Sequence, residues 1–219
     1  MTNGDIDHLA GLLSLREGHR FTLFATQANL ELIAANSVFR VLDRDCVAMK
    51  SLQEDISEEL GYGLRAKPFF VPGKVPLHEE TETIRLGEIG ESTLGLEFEC
   101  GGARVVHIPG CAKINDDVLG RASRADLLLF DGTTFTDDEM VALGLSSKTA
   151  WRMGHMAISG AQGSLAAFAK SPAAKGPARR RIYTHINNTN PILIKGSPER
   201  RAVEADGWEV AYDGMEISL

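Results

Sequence analysis

The chain has 219 residues, 43% of them hydrophobic, and a net charge of −7. That is enough apolar material for one domain with a substantial core, and the acidic balance argues against a nucleic-acid partner held through phosphate contacts. No apolar run reaches the roughly 18 residues of a membrane span, the polar N-terminus lacks a signal-peptide pattern, and the widely spaced Cys46, Cys100 and Cys111 suggest free thiols in a reducing cytoplasm.

In chain order, Asp5, Asp7 and His8 crowd together just before the apolar run Leu9, Leu12 and Leu13. Carboxylates and an imidazole so spaced in a turn can converge on one cation, and such a donor set suits iron, manganese or zinc. Equally, Asp7 reads as a helix N-cap and His8 as a solvated first-turn residue. A helix is expected over Leu9–Gly18, closed by Gly18, then a strand over Phe21–Thr26 and helical spacing from Asn29 to about Val41. Cys46–Tyr62 carries no decisive pattern. Leu64–Val71 reads as a strand ending in a turn at Pro72-Gly73.

Thr93–Cys100 and Arg104–Ile108 read as a hairpin across Gly101-Gly102, a pair that adopts positive φ at little cost. A helix follows over Asp116–Ser123. The apolar run Asp126–Asp131 has the character of a strand buried on both faces. Helices are expected over Thr136–Leu143 and Ser164–Lys170, with a loop at Gly154-His155-Met156 between them. Lys170–Ala178 is a Pro- and Ala-rich connection, the basic Arg179-Arg180-Arg181 caps a surface loop, and Arg181–Ile186 is a strand broken by Asn187–Pro191. Ser197 and Pro198 open a helix as N-cap and N1, and Trp208–Tyr212 is the last strand. Strands alternating with helices give an α/β layered class. His107 reads as structural and His19 and His78 as solvated.

Several of these stretches resemble the metallo-β-lactamase fold, whose metal motif is His-x-His-x-Asp-His. Asp7 and His8 match its last two positions, while Asn3 and Asp5 stand where the first two histidines belong. Further along, Pro109–Ala112, Phe130–Phe135, Gly154–Met156 and Tyr183–His185 are similar, in order, to the metal and proton-transfer elements of the ribonuclease Z branch. The resemblance puts Cys111 where a carboxylate bridges two metals. It implies a four-layer αββα sandwich and a metal set of Asp7, His8 and His185, with Asp5 and Cys111 as further candidates. With the first-site imidazoles missing, two-metal hydrolysis is disfavoured. Two imidazoles and one carboxylate with open positions suit non-haem iron activating dioxygen. Asp131 is expected to orient His155 for proton transfer.

A narrower resemblance covers essentially the whole chain. Asp5–His8, Gly154–Gly160, Thr184–Leu193 and Glu204–Glu216 are similar to the pyrroloquinoline quinone (PQQ) biosynthesis protein B family. What it implies is PQQ biosynthesis, through iron- and oxygen-dependent hydroxylation of the tyrosine moiety of a Glu–Tyr-derived precursor. The alternative is a non-catalytic carrier that helps move PQQ or its precursor to the periplasm. Fe(II) is the expected cofactor, in one metallo-β-lactamase-like domain over residues 1–219. The resemblance also implies an opening segment upstream of Met1 with a Cys-x-Cys-x-x-Cys structural zinc element, so the chain is expected to lack its opening strands and that zinc. PQQ or its precursor is the expected partner, in the cytoplasm, without nucleic acid or membrane insertion, and a homodimer is allowed. Asn187, Asn188 and Asn190 either bind this polar ligand or satisfy strand-end amides.

Overall fold

The apolar run forms an interior strand, Leu127–Asp131, paired on both sides. The computed structural model describes residues 1–74, 86–170 and 180–219. Their helices and strands are α1 (Ile6–Leu9), β1 (Phe21–Ala25), α2 (Gln27–Ala35), β2 (Val47–Ser51), β3 (Glu58–Gly61), β4 (Leu64–Phe70), β5 (Gly73–Lys74), β6 (Leu86–Glu88), β7 (Leu94–Cys100), β8 (Ala103–Ile108), α3 (Asp116–Arg124), β9 (Leu127–Asp131), α4 (Glu139–Ala142), α5 (Ala150–Met153), α6 (Ser164–Ala169), β10 (Arg180–Thr184), α7 (Pro198–Ala205) and β11 (Glu209–Val210). Three 3-10 segments, Ala10–Leu15, Ser37–Val41 and Pro191–Leu193, join them.

The larger sheet has seven strands in the order β11-β10-β9-β8-β7-β4-β3. Strands β8 to β11 run parallel, because helices return the chain between them, and β3, β4, β7 and β8 pair antiparallel. The β7–β8 hairpin turns at Gly101 and Gly102, with φ of +59° and +91°, the left-handed pair that a two-residue turn requires. A row of Ile108, Phe130, Tyr183 and Val210 lies along one face of the sheet. It joins Val118, Phe168, Val203 and Trp208 from the helices and α7–β11 turn in one core. A second core gathers Leu9, Leu23, Ile33, Phe39 and Val47 around the parallel pair β1–β2.

Several boundaries differ from expectation for local reasons. The N-terminal helix starts earlier, because His8 and Leu9 N–H both donate to the Asp5 carbonyl. Asp5, not Asp7, therefore occupies the cap, without a side-chain bond. The helix then tightens to 3-10 geometry and stops at Leu15, with Gly18 beyond it at φ +78°. The Asn29–Val41 helix is split at Asn36, whose side chain accepts from Val38 N–H and restarts the chain as a 3-10 turn. Gly73 pairs into β5 instead of ending a turn. The α4 helix is shorter than expected, since buried Glu139 turns its carboxylate back to the Phe135 N–H at 2.7 Å. Ser197 caps α7 with Pro198 in its first turn, as read from the sequence. Cys46–Tyr62 resolves into β2 and β3. His78, the connection after Lys170 and Arg179 lie outside the described residues.

Candidate metal centre

Parallel strands leave their carboxyl ends together, and ligands of open α/β sheets gather there. In register, Asp131 at the end of β9 pairs with Thr184 at the end of β10. The next residue, His185, takes a left-handed backbone at φ +51°, which turns its ring out of the strand; histidine is among the residues that tolerate this region. Gly132 permits the close approach: a Cβ there would meet Tyr183 Cβ at 2.9 Å and the Thr184 carbonyl at 3.1 Å. The N-terminal turn is pinned against the same sheet end, with Leu94 N–H donating to the Thr2 carbonyl at 2.7 Å and Asn3 bridging to Thr93.

This brings His8 to His185 across 177 positions of sequence, Nε2 to Nε2 at 3.0 Å. Asp7 Oδ2 completes the triangle, 3.3 Å from His185 Nε2 and 3.5 Å from His8 Nε2. Donor atoms bound to one ion at about 2.0–2.2 Å are separated by distances of this order. The other ring nitrogens explain the arrangement. His8 Nδ1 lies 3.3 Å from the Thr2 hydroxyl and His185 Nδ1 2.9 Å from the Thr133 hydroxyl. If both Nδ1 atoms carry the proton, two bare Nε2 lone pairs face each other, a repulsive contact that a cation relieves. The residues thus fit a divalent metal, and they leave coordination positions open.

In the metal-free protein the same groups favour a proton where the metal would sit. The hydrogen bond to His185 holds the Asp7 carboxyl down to about 2 against the opposing effect of burial. Burial lowers the pKa of His8, keeping a lone pair free for coordination. Burial also works against the His185 cation, but the Asp7 and Asp131 carboxylates outweigh it and raise its pKa.

Beside this triangle, Asp131 is completely buried and accepts four hydrogen bonds. Oδ2 takes Cys111 N–H at 3.0 Å and His155 Nδ1–H at 2.8 Å. Oδ1 takes Thr133 N–H at 3.1 Å and its hydroxyl at 2.6 Å. Burial alone would raise the Asp131 pKa, yet His155, His185 and Thr133 lower it. The rings of His155 and His185 stack with centroids 5.3 Å apart. Asp131, His155 and His185 also lie close enough together to ligate. However, four donors already occupy the Asp131 oxygens, so this trio is a hydrogen-bonded relay.

Some expected site residues go elsewhere. Asp5 directs Oδ1 toward Lys74 Nζ at 3.7 Å and belongs to neither donor trio. Cys111 lies in the core, where its thiol donates to the Lys113 carbonyl at 3.3 Å and burial pushes its pKa far up. Its contribution near the site is its backbone N–H. Of the asparagines, Asn190 is buried, donates to the Gly132 carbonyl and caps the next turn, Asn187 binds Thr189 and accepts from the Asn188 backbone N–H, and Asn188 itself is exposed. Asn187 and Asn190 thus satisfy backbone groups where β10 ends. His107 sits on β8 outside both trios, its pKa lowered to about 4, mainly by burial. Sequence reasoning assigned no role to Thr2 and Thr133; no spacing rule marks a hydroxyl that acts on a ligand's second nitrogen.

The sequence matches the beta-lactamase superfamily domain over residues 1–186. It is 48% identical over 219 residues to coenzyme PQQ synthesis protein B of Methylobacterium sp. (strain 4-46), covering all of this chain and 72% of the relative. Its fold is similar to the crystal structure of Zn(2+)-bound PqqB from Methylobacterium extorquens, with TM-score 0.93 and 46% identity over all of this chain and 71% of that one. Human tRNase Z, short form, shares the fold alone, with TM-score 0.56 and 15% identity over all of this chain and 77% of that one. The metallo-β-lactamase-like α/β sandwich expected from the sequence is therefore the fold observed.

Proposed function

The chain belongs to the beta-lactamase superfamily and, within it, to the coenzyme PQQ synthesis protein B family, and on that premise we propose that it is a metal-dependent oxygenase of PQQ biosynthesis. Its reaction is hydroxylation of the tyrosine moiety of a Glu–Tyr-derived precursor. The observation that supports this most is the triangle of two imidazole nitrogens and one carboxylate oxygen with edges of 3.0, 3.3 and 3.5 Å. The second donor trio, Asp131, His155 and His185, shares His185 with the first, and its Asp131 oxygens already accept four hydrogen bonds, so a two-metal hydrolase is disfavoured.

Asp7, His8 and His185 would hold the metal, and iron(II) bound there would supply dioxygen activation. The related structure holds zinc, so the proposal of iron rests on the donor chemistry. Thr2 and Thr133 orient the two imidazoles. Asp131 anchors His155 through Nδ1, which leaves Nε2 to take or return a proton at the substrate phenol. In the balanced reaction one oxygen atom enters an aryl C–H bond, and the other leaves as water with two electrons from an external reductant.

The test reconstitutes the protein with iron(II), with zinc(II) or with neither, and supplies precursor, ascorbate and isotope-labelled dioxygen. The expected result is one labelled oxygen atom in the product, from the iron-loaded protein only. Precursor that stays unchanged on a protein holding one equivalent of iron would favour the carrier reading.

A further inference from the structure

A cavity of about 660 Å3 opens beside the metal centre, walled by α5, the loop from His155 to Gly163 and the turn at Ala112 and Lys113. Its size falls within the range of small-molecule sites, roughly 300–1,000 Å3. Among the described residues, His155 alone belongs both to this lining and to the relay beside the centre. A ligand in the cavity therefore lies against the ring that Asp131 anchors and that stacks on His185.

We propose that this cavity receives an aromatic amino-acid moiety, with its ring between Trp151 and Met156, its carboxylate on Lys113 and its amine toward Asp137. This rests on the reading that the centre works on a tyrosine-bearing molecule, and it says where that molecule is held. The walls are already built. Met156 N–H donates to the Cys111 carbonyl at 2.7 Å, and Ser159 donates both N–H and hydroxyl to the Phe135 carbonyl at 2.9 and 2.7 Å. A site formed before binding spends less of its affinity on ordering.

Trp151 stays 41% exposed despite its size, yet both its backbone and its ring are anchored. Its backbone N–H donates to Asp137 Oδ1 at 2.9 Å. Its indole lies so near β6 that a Cβ on Gly87 would stand 2.9 Å from Cη2. A fixed, partly exposed indole is a stacking surface for another aromatic ring. The lining also includes Ala157, Gly160, Ala161 and Gly163, small residues that let a flat ring approach the backbone. Among the described residues of the lining, Lys113 is the single Lys or Arg and Asp137 the single carboxylate. One group of each sign in a mainly apolar site matches the zwitterion of an α-amino acid, and Asp137 has acceptor positions beyond the one that Trp151 uses.

The test uses metal-free protein and two probes, L-tyrosine and L-tyrosinamide, with binding followed by titration calorimetry and ligand-observed NMR. Trp151→Ala should weaken both probes at least tenfold, and Trp151→Phe should recover most of that loss. Lys113→Gln should weaken tyrosine several-fold while leaving tyrosinamide, which lacks the carboxylate, unchanged. His8→Ala should leave both affinities intact. Equal affinity in wild type and Trp151→Ala, or no binding in wild type, overturns the proposal. If affinity follows His8 and not Trp151, the ligand sits at the centre: the cavity is refuted while the oxygenase reading stands. Trp151-dependent binding with no oxygen incorporation by the iron-loaded protein gives the converse, a supported cavity and a failed oxygenase.

Discussion

Replacing Thr133 by valine keeps the branched shape of the side chain and removes only its hydroxyl. That hydroxyl donates to Asp131 Oδ1 at 2.6 Å and accepts from His185 Nδ1–H at 2.9 Å. Without it, Oδ1 of a completely buried carboxylate keeps a single donor, the Thr133 N–H at 3.1 Å, and His185 Nδ1–H loses its acceptor. A hydrogen bond to a charged group contributes about 1.5–3 kcal/mol. Loss of a partner that orients a metal-binding histidine weakens metal binding about 10–100-fold, or about 1.4–2.8 kcal/mol. The first loss is read in the stability of the chelated protein and the second in metal affinity. Thr133→Val should therefore lower the denaturation free energy of chelated protein by about 1.5–3 kcal/mol and raise the metal Kd by about 10–100-fold. Thr133→Ser should recover most of both losses, since its hydroxyl makes the same two bonds. Competition against a chromophoric chelator gives Kd, and urea denaturation in excess chelator gives stability. An unchanged Kd in Thr133→Val, or a serine variant as weak as the valine one, would refute the argument.

Three further outcomes follow from the same geometry. His185→Ala should cut metal content by elemental analysis at least tenfold, whereas His155→Ala should keep one equivalent and lose turnover; equal metal loss in both would make His155 a ligand. His107, lowered from 6.5 to about 4 by burial, makes the folded state resist a proton that the unfolded chain accepts. Its contribution is intact above pH 6.5 and is lost as pH falls toward 4, by about 1.4 kcal/mol per unit and about 3 kcal/mol in all. His107→Leu should flatten the acid limb of the stability–pH curve of chelated protein, and an unaltered slope would count against this. Cys111→Ala should retain full metal and cost about 1 kcal/mol of stability, while a loss of metal would return the thiol to the ligand set.

Elements whose cause is local were legible in the sequence. The Gly101-Gly102 turn, the Ser197-Pro198 helix start and the apolar run of β9 depend on the φ preferences, capping bonds and burial of a few neighbouring residues. The motif resemblance likewise pointed to Asp7, His8 and His185, which the fold brings within 3.5 Å of one another. Only the tertiary structure decided where Asp5 and Cys111 point, because Lys74 and the packed core, far away in sequence, fill the alternatives. It alone also decided that Asn187 and Asn190 bond backbone groups and that Thr2 and Thr133 stand behind the two imidazoles. A donor's direction depends on strand register and on which partner reaches it first, and those are long-range properties that residue type and spacing do not carry.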